Sequence, residues 1–101
     1  MKKTNKISGN FINLDSTFNV PSDVVSRQVQ GEEVILNLKT GTYYGLDSVG
    51  TMVWSHLKTQ SPLKKAVKEI ATQYDVTAEK IEGDILILVR DLHKCKLIEV
   101  H

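Results

Sequence analysis

The sequence predicts an α+β fold, in which a three-stranded antiparallel meander is followed by three helices. The first observation behind this prediction is a series of short β-prone stretches, separated by glycine-containing turns, over residues 24–46. The second is a series of amphipathic stretches over residues 47–96, in which capping residues precede apolar side chains at helical spacing. The third is the length of 101 residues, which allows one hydrophobic core but not two.

The three predicted strands run from Val24 to Gln30, from Glu33 to Leu38 and from Thr42 to Leu46. A Gly31-Glu32 turn joins the first two strands, and its glycine supplies the positive φ of a tight hairpin. Residues 39–41 suit a type I turn closed by a glycine bulge, which joins the second strand to the third. Two tight hairpins in succession fix the spatial order, so the third strand is an edge of the sheet.

The third strand is short and aromatic, and its sequence does not protect it from pairing with another chain. It carries Tyr43, Tyr44 and Gly45, with no lysine, proline or inward-pointing charge of the kind that blunts natural edge strands. Such an edge is either covered by the protein itself or used to bind an extended peptide. Alternation places Tyr44 and Leu46 on one face and Tyr43 on the other, and it leaves open which tyrosine meets a partner.

The first two helices have ordinary core-facing patterns. Asp47 or Ser48 caps the first helix, which runs to about Leu57. The second helix has Ser61 as its N-cap and Pro62 at its first helical position. Its apolar residues form one stripe, which consists of Leu63, Ala66, Val67, Ile70, Ala71 and Tyr74.

The third helix carries more apolar surface than one core contact requires. Thr77 caps its N-terminus, and Lys94 and Lys96 near its end complement the helix dipole. Its predicted core stripe consists of Ile81, Ile85, Leu88 and Leu92. The remaining apolar residues cannot all face that stripe, and they are Leu86, Ile87 and Val89. After this helix, residues 97–100 form either a short strand or a packed tail.

Residues 1–19 are predicted to be a flexible or loosely packed N-terminal arm, and residues 20–101 to be a single domain. The apolar residues of the arm, for which packing on the domain is favoured over contact with a partner, are Phe11, Ile12, Leu14 and Phe18. No stretch has the apolar length of a signal peptide or of a membrane span. The single cysteine, Cys95, suits a reducing compartment. We therefore expect a cytoplasmic protein without membrane contact.

Charge and titratable residues argue against several classes of function. Thirteen basic and twelve acidic residues give a net charge of +1, which is too small to attract nucleic acid. The histidines and the cysteine, which have no metal-binding spacing, are His56, His93, His101 and Cys95. No nucleophile stands in a catalytic motif, and the aspartates suit caps, turns and helix surfaces. We therefore expect neither metal nor cofactor, and no enzymatic activity.

The chain resembles the PqqD-like family over about residues 20–100, most specifically in the strand, turn and helix of residues 37–57. The residues that carry the resemblance are Asn37-Leu38, Thr40-Gly41, the run Tyr43-Tyr44-Gly45-Leu46-Asp47, Gly50, Trp54 and Leu57, followed by Asp84-Ile85, Leu92 and Leu97-Ile98. The family comprises recognition domains of ribosomally made, post-translationally modified peptides, and this chain is most similar to stand-alone members from lasso-peptide pathways. Cys95-Lys96 departs from the Arg-Gly that is common before the last apolar pair.

The resemblance implies a winged helix-turn-helix arrangement that binds the leader of a precursor peptide and presents it to a processing protease or another modifying enzyme. The leader would lie as a fourth strand on the third strand, beside the third helix. The peptide-binding residues implied in this way are Thr42, Tyr43, Tyr44, Gly45, Leu46, Asp84, Ile87, Leu88 and Asp91. The opposite flank of the helix, which periodicity alone leaves equally open, consists of Leu86, Val89 and His93.

Two other functions compete with peptide recognition. A winged-helix DNA-binding regulator is the main alternative, because this shape is common among DNA-reading proteins. However, the third helix opens with Glu79, Glu82 and Asp84, whose charges would repel phosphates. A purely structural subunit is the other alternative. The unguarded edge also allows a homodimer through the third strand.

Overall fold

The computed structural model describes residues 12–101 and confirms the α+β class, with a three-stranded antiparallel sheet followed by three helices. In chain order the elements are β1 (Phe18–Asn19), β2 (Val24–Val29), β3 (Glu32–Asn37), β4 (Thr42–Gly45), α1 (Ser48–Lys58), α2 (Leu63–Tyr74), α3 (Ala78–Lys94) and β5 (Glu99–Val100). Within these residues, no helix is long and apolar enough to cross a membrane.

The main sheet has the order β2-β3-β4, so β4 is an edge, as the two hairpins predicted. The first turn lies one residue earlier than predicted, because Val29 pairs with Glu32 and leaves Gln30 and Gly31 as the loop. These two residues have φ angles of 54° and 83°. Consecutive positive φ angles are typical of a type I′ turn, whose twist matches that of paired strands. The predicted Gly31-Glu32 turn was wrong because Gln30 adopts the left-handed conformation usually left to glycine, asparagine or aspartate.

The second turn contains the predicted glycine bulge. Gly41 has a φ of 73°, and its N–H donates to the Asn37 carbonyl at 2.8 Å. The side-chain Oδ1 of Asn37 accepts from the N–H of Lys39 at 2.9 Å. β3 ends at Asn37, one residue before its predicted end, although the N–H of Leu38 still donates to the carbonyl of Asp23 in register with the β2–β3 pairing.

The caps of α1 and α3 are made by side chains, as the sequence predicted. Asp47 accepts a hydrogen bond from the Gly50 N–H at 2.8 Å, and Thr77 accepts one from the Lys80 N–H at 3.3 Å. Each bond satisfies one of the backbone donors that a helix leaves unpaired at its N-terminus. Asp47 is thus the cap of α1, which the sequence left open between Asp47 and Ser48.

The N-terminus of α2 is capped differently from the prediction. The N-cap residue is Pro62, and it makes no side-chain cap bond. The carbonyls of Leu14 and Ser16 accept the N–H groups of Lys64 and Leu63 at 2.9 Å and 3.3 Å. The predicted Ser61 cap was wrong because these acceptors come from the N-terminal segment of the chain. That segment is far from α2 in sequence, so local sequence patterns cannot predict the contact.

The core lies between one face of the sheet and the three helices. Trp54 is fully buried at its centre, and its indole N–H donates to the Ser26 hydroxyl at 3.0 Å. The buried residues of α3 are Ile81, Ile85, Val89 and Leu92. Leu88 was predicted to belong to this stripe but is only partly buried, because the helix is rotated so that Val89 faces the core.

The two ends of the described chain pair with each other. β1 lies antiparallel to β5, with Phe18 opposite Val100, so the tail after α3 ends in a short strand. Ile12 and Phe18 are buried, and together with Leu97 they belong to the hydrophobic core. Residues 12–19 of the predicted arm therefore pack on the domain. Phe11 lies outside the described residues, and the division of the chain at residue 19 stays a prediction.

Candidate functional site

An open groove of about 420 Å³ lies between the end of β4 and α3. The residues that line it are Gly45, Leu46, Asp47, Val49, Gly50, Ile81, Asp84 and Leu88. Four of them, Gly45, Leu46, Asp84 and Leu88, are among the predicted peptide-binding residues. The fold thus brings together two parts of the chain that are about forty residues apart and that the sequence analysis placed in one site.

The outer side of β4 offers unpaired backbone groups beside this groove. The N–H of Leu46 donates to the carbonyl of Glu33 at 2.9 Å, so Leu46 directs its backbone groups towards β3. Backbone direction alternates along an antiparallel strand, so Tyr43 and Gly45 direct their N–H and C=O groups to the outer side. Among residues 12–101, no strand pairs with that side of β4. An extended peptide can therefore add to the sheet here.

The two neighbouring tyrosines of β4 face opposite sides of the sheet. Tyr44 lies opposite Ile35, is partly buried and packs against the core. Burial raises the pKa of the Tyr44 phenol, and the adjacent Cys95 raises it further, whereas a hydrogen bond with Thr42 lowers it. Tyr43 lies opposite Leu36 on the other face and is 68% exposed. Tyr44 therefore joins β4 to the end of α3, and Tyr43 is available to a partner.

The helical wall of the groove is formed by one flank of α3. Asp84 lines the groove, and its carboxylate accepts from Lys80 Nζ at 3.5 Å within one helical turn. Ile87 is 61% exposed, and Asp91 is exposed one turn further on. Neither lines the groove itself, but residues 84, 87 and 91 share one side of the helix. Ile87 and Asp91 therefore lie on the same side of α3 as Asp84, further along the helix and outside the groove lining.

The alternative flank of α3 is largely covered by the protein. Val89 is fully buried in the core, and Leu86 packs against the core with partial burial. His93 is also only partly exposed. Val89 is therefore used for folding, Leu86 and Leu88 are both partly buried against the core, and the exposed large apolar side chain of α3 is Ile87.

Four groove residues were not predicted from the sequence: Asp47, Val49, Gly50 and Ile81. Asp47 was assigned to the cap of α1 and Ile81 to the core stripe, and these roles are real but incomplete. Gly50 carries the clearest signal that was overlooked. A Cβ added at Gly50 would lie 3.1 Å from the Cβ of Leu46, which is closer than ordinary packing allows. A glycine inside the first turn of a helix costs stability, so a close approach of this kind explains its presence.

The lining of the groove is both apolar and acidic. Its lining combines aliphatic side chains with the carboxylates of Asp47 and Asp84, and it contains neither histidine nor cysteine. Among the described residues, no group of three or more histidine, cysteine or acidic side chains is placed to hold a metal ion. The lining therefore matches an extended peptide with apolar side chains and a basic residue.

Comparisons with known proteins agree with this geometry. Residues 32–98 match the model of the family described as coenzyme PQQ synthesis protein D (PqqD). The structure described as "TbiB1 in Complex with the TbiA(beta) Leader Peptide" is 36% identical, with a TM-score of 0.75, over 80% of this chain and 94% of that one. A second structure, "Lasso peptide synthetase B1 complexed with the leader peptide", has a TM-score of 0.75 at 20% identity, over 81% of this chain and 96% of that one, and shows the same fold. No curated protein matches the chain.

Proposed function

The chain belongs to the PqqD family, and from this premise we propose that it binds the leader region of a ribosomally synthesised precursor peptide. The leader lies as an added strand on the outer side of β4, beside α3. The domain recognises the peptide without acting on it chemically, and it presents the bound peptide to a processing protease or another modifying enzyme. The peptide partner is supported by the leader bound to the similar protein TbiB1.

The observation that carries this proposal is an unpaired strand edge directly beside an open groove. Tyr43 and Gly45 direct their backbone groups outwards, and Gly45 also lines the groove. A peptide strand on β4 gains backbone hydrogen bonds from the edge, and every second side chain points towards the groove. The backbone hydrogen bonds contribute affinity that depends little on the sequence of the peptide, and the groove contributes specificity.

The proposed binding residues have three different roles. Residues 42–46 form the edge, where Tyr43 and Gly45 pair with the peptide backbone and Tyr44 holds the strand against the core. Leu46 and Leu88 supply the apolar surface of the groove. Asp84 and Asp91 supply negative charge for a basic residue of the leader, and Ile87 covers the peptide at the rim.

The same edge also permits a homodimer when no leader is bound. Two copies of β4 placed antiparallel would satisfy the outward groups of Tyr43 and Gly45 in each copy. Such a dimer would compete with the peptide for the same backbone groups. Leader binding and dimerisation are therefore mutually exclusive in this proposal, and added leader converts any dimer to monomer.

No observation favours the DNA-binding alternative. The net charge is +1, and the first turns of α3 carry Glu79, Glu82 and Asp84 against the single basic residue Lys80. A recognition helix with this charge repels the phosphate backbone, which supplies most of the non-specific affinity of DNA-binding proteins.

The direct test is a titration with labelled peptide. Fluorescein-labelled leaders of the short precursor genes encoded beside this chain are titrated with the protein, and fluorescence anisotropy gives the Kd. We expect saturable binding of one leader with a Kd below about 10 µM, and no binding of a scrambled peptide of the same composition. If none of these leaders binds at protein concentrations of about 50 µM, the proposal is wrong.

A further inference from the structure

The face of the main sheet that points away from the helices is apolar where a solvated sheet face is usually polar. This outer sheet face is formed by Val25, Arg27, Val34, Leu36 and Tyr43, which together with Ser26 line a shallow depression of about 320 Å³. Val25 is 45% exposed, and Tyr43 is more exposed still. Within residues 12–101, no helix or strand covers this depression. Its apolar side chains thus offer surface to another molecule.

The side chains of the outer sheet face are arranged in two rows across the strands. Val25 lies opposite Leu36, and Leu36 lies opposite Tyr43, which gives one apolar row. The second row runs from Arg27 through Val34 to Gly45, where it ends without a side chain. Directly opposite residues have Cβ atoms roughly 4.5–5.5 Å apart, so the members of each row are in contact distance.

Both rows end on β4 at the residues that face the open edge. Tyr43 and Gly45 are also the residues whose backbone groups point outwards. A peptide strand added at this edge places a residue opposite each of them, with its side chain on the outer sheet face. The intervening side chains of the peptide point to the groove on the other side. A bound leader would therefore extend both rows by one side chain.

We propose that the outer sheet face, extended by the outward side chains of the bound leader, is the docking surface for the enzyme that processes the precursor. This inference rests on the proposed function, because the leader completes the surface. The matching surface on the enzyme is an apolar patch with a carboxylate at its rim. The carboxylate would meet Arg27, which lies on the outer sheet face and forms no salt bridge within the described residues.

The size of the surface favours a transient enzyme contact over a second copy of the chain. Three strands of four to six residues cover at most roughly 14 by 20 Å, or about 300 Å², and a leader strand adds about a third. A stable dimer of standard size buries about 800 Å² on each partner. An enzyme that must release the domain after each turnover needs only the weaker contact. Because the leader forms part of the surface, the enzyme would prefer the loaded domain.

The test separates leader binding from enzyme docking with matched variants. Val25→Glu places a charge on the outer sheet face, two strands away from the leader edge. The control, Val76→Glu, makes the same change at a residue that is 39% exposed in the turn between α2 and α3. Leader affinity is measured by fluorescence anisotropy. Cleavage of the full precursor by the protease encoded beside this chain is measured by mass spectrometry.

We expect Val25→Glu to retain the leader affinity of the unmodified protein and to lower the cleavage rate at limiting protein concentration by roughly tenfold or more. Val76→Glu should change neither quantity. Arg27→Glu, which alters only an exposed charge, should also lower the cleavage rate, and it serves as the second variant if Val25→Glu does not fold. Together these results would support the docking surface.

Three results would overturn the inference. Cleavage at the normal rate with Val25→Glu or, if that variant does not fold, with Arg27→Glu would show that the enzyme docks elsewhere while leader recognition stands. Sedimentation could also show that the unmodified protein is a dimer and that Val25→Glu is a monomer. The outer sheet face would then be the interface with a second copy of the chain. If the unmodified protein bound no leader, both the proposed function and the docking surface that the leader completes would be wrong.

Discussion

Tyr43 and Tyr44 are adjacent in sequence, but the fold places their side chains in different environments. Tyr44 faces the helices, where it packs against the core and contacts Cys95. Tyr43 faces solvent on the outer sheet face. Alternation along a strand predicted that their side chains separate, but it did not predict which of them the helices cover. That depends on the direction in which the chain turns after β4, at the point where Asp47 caps α1.

Replacement of Ile87 by glutamate tests the rim of the groove. Ile87 is 61% exposed, so the free protein gains little from its apolar surface and the fold should tolerate the change. A bound leader would cover that surface, and its loss is expected to weaken leader binding by about 1–2 kcal/mol, or roughly 5–30-fold. Anisotropy titration gives the affinity, and circular dichroism confirms the fold.

The controls for Ile87 separate apolar contact from charge. Ile87→Gln removes the apolar surface without adding charge beside Asp84 and Asp91, and it should lose most of the same affinity. Val76→Glu adds the same charge away from the groove and should have no effect. An unchanged affinity for Ile87→Glu would show that the leader contacts α3 only at Leu88 and earlier turns.

At the scale of elements, the sequence predicts what depends on local patterning. The strands, their order and the three helices follow from alternation, glycine turns and apolar spacing, and all are present. The face of α3 that is buried cannot be predicted in this way, because its many apolar residues allow more than one apolar stripe. Tertiary packing buries Val89 in preference to Leu88. The α2 cap was missed because its acceptors come from residues 14 and 16.

The candidate site follows the same division between local and non-local information. The strand edge was predictable, because short loops on both sides of β3 leave β4 with a free side. The pairing of β4 with one flank of α3 came from the family resemblance. Asp47, Val49 and Gly50 were missed because each has a sufficient local role at the start of α1. Their place in the groove is seen only in the folded chain, where this turn lines the groove and Gly50 lies close to Leu46.

The edge of β4 can be tested at a single backbone position. Gly45 directs its N–H to the outer side, so Gly45→Pro removes a donor that the leader would use without removing a bond to β3. We expect leader binding to weaken by about 1–3 kcal/mol, because a leader carbonyl loses its partner. Gly45→Ala is the matched control, since its Cβ meets no atom within 4 Å and its N–H remains.

The Gly45 pair separates loss of a hydrogen bond from loss of the fold. Gly45→Ala should bind the leader within about twofold of the unmodified protein, and both variants should retain their thermal unfolding midpoints within a few degrees, or about 1 kcal/mol. Equal leader affinity for Gly45→Pro and Gly45→Ala would mean that the peptide does not pair with this part of β4. The proposal would then have to place it in the groove alone.

At the scale of the whole molecule, one strand edge separates two surfaces to which we assign different proposed roles. The groove faces the helices, and the outer sheet face points away from them. Elsewhere in the fold, β1 pairs with β5 and ties residues near the two ends of the described chain together. There the N–H of His101 also donates to the carbonyl of Thr17 at 2.9 Å. A peptide bound at this edge would be recognised from one side by the domain and from the other by its enzyme.

Salt dependence distinguishes this function from nucleic-acid binding for the whole molecule. The net charge is +1, and exposed pairs between groove carboxylates and a basic leader residue are worth at most about 1 kcal/mol each. Leader affinity should therefore fall by no more than roughly tenfold between 0.05 and 0.5 M NaCl. A protein that makes six to ten phosphate contacts would lose about 10³–10⁵ in DNA affinity between roughly 0.05 and 0.2 M salt. Anisotropy titrations with labelled leader and with a labelled duplex of about 30 base pairs measure the two affinities at each salt concentration. Saturable binding of the duplex with a steep dependence on salt would contradict the peptide-binding assignment.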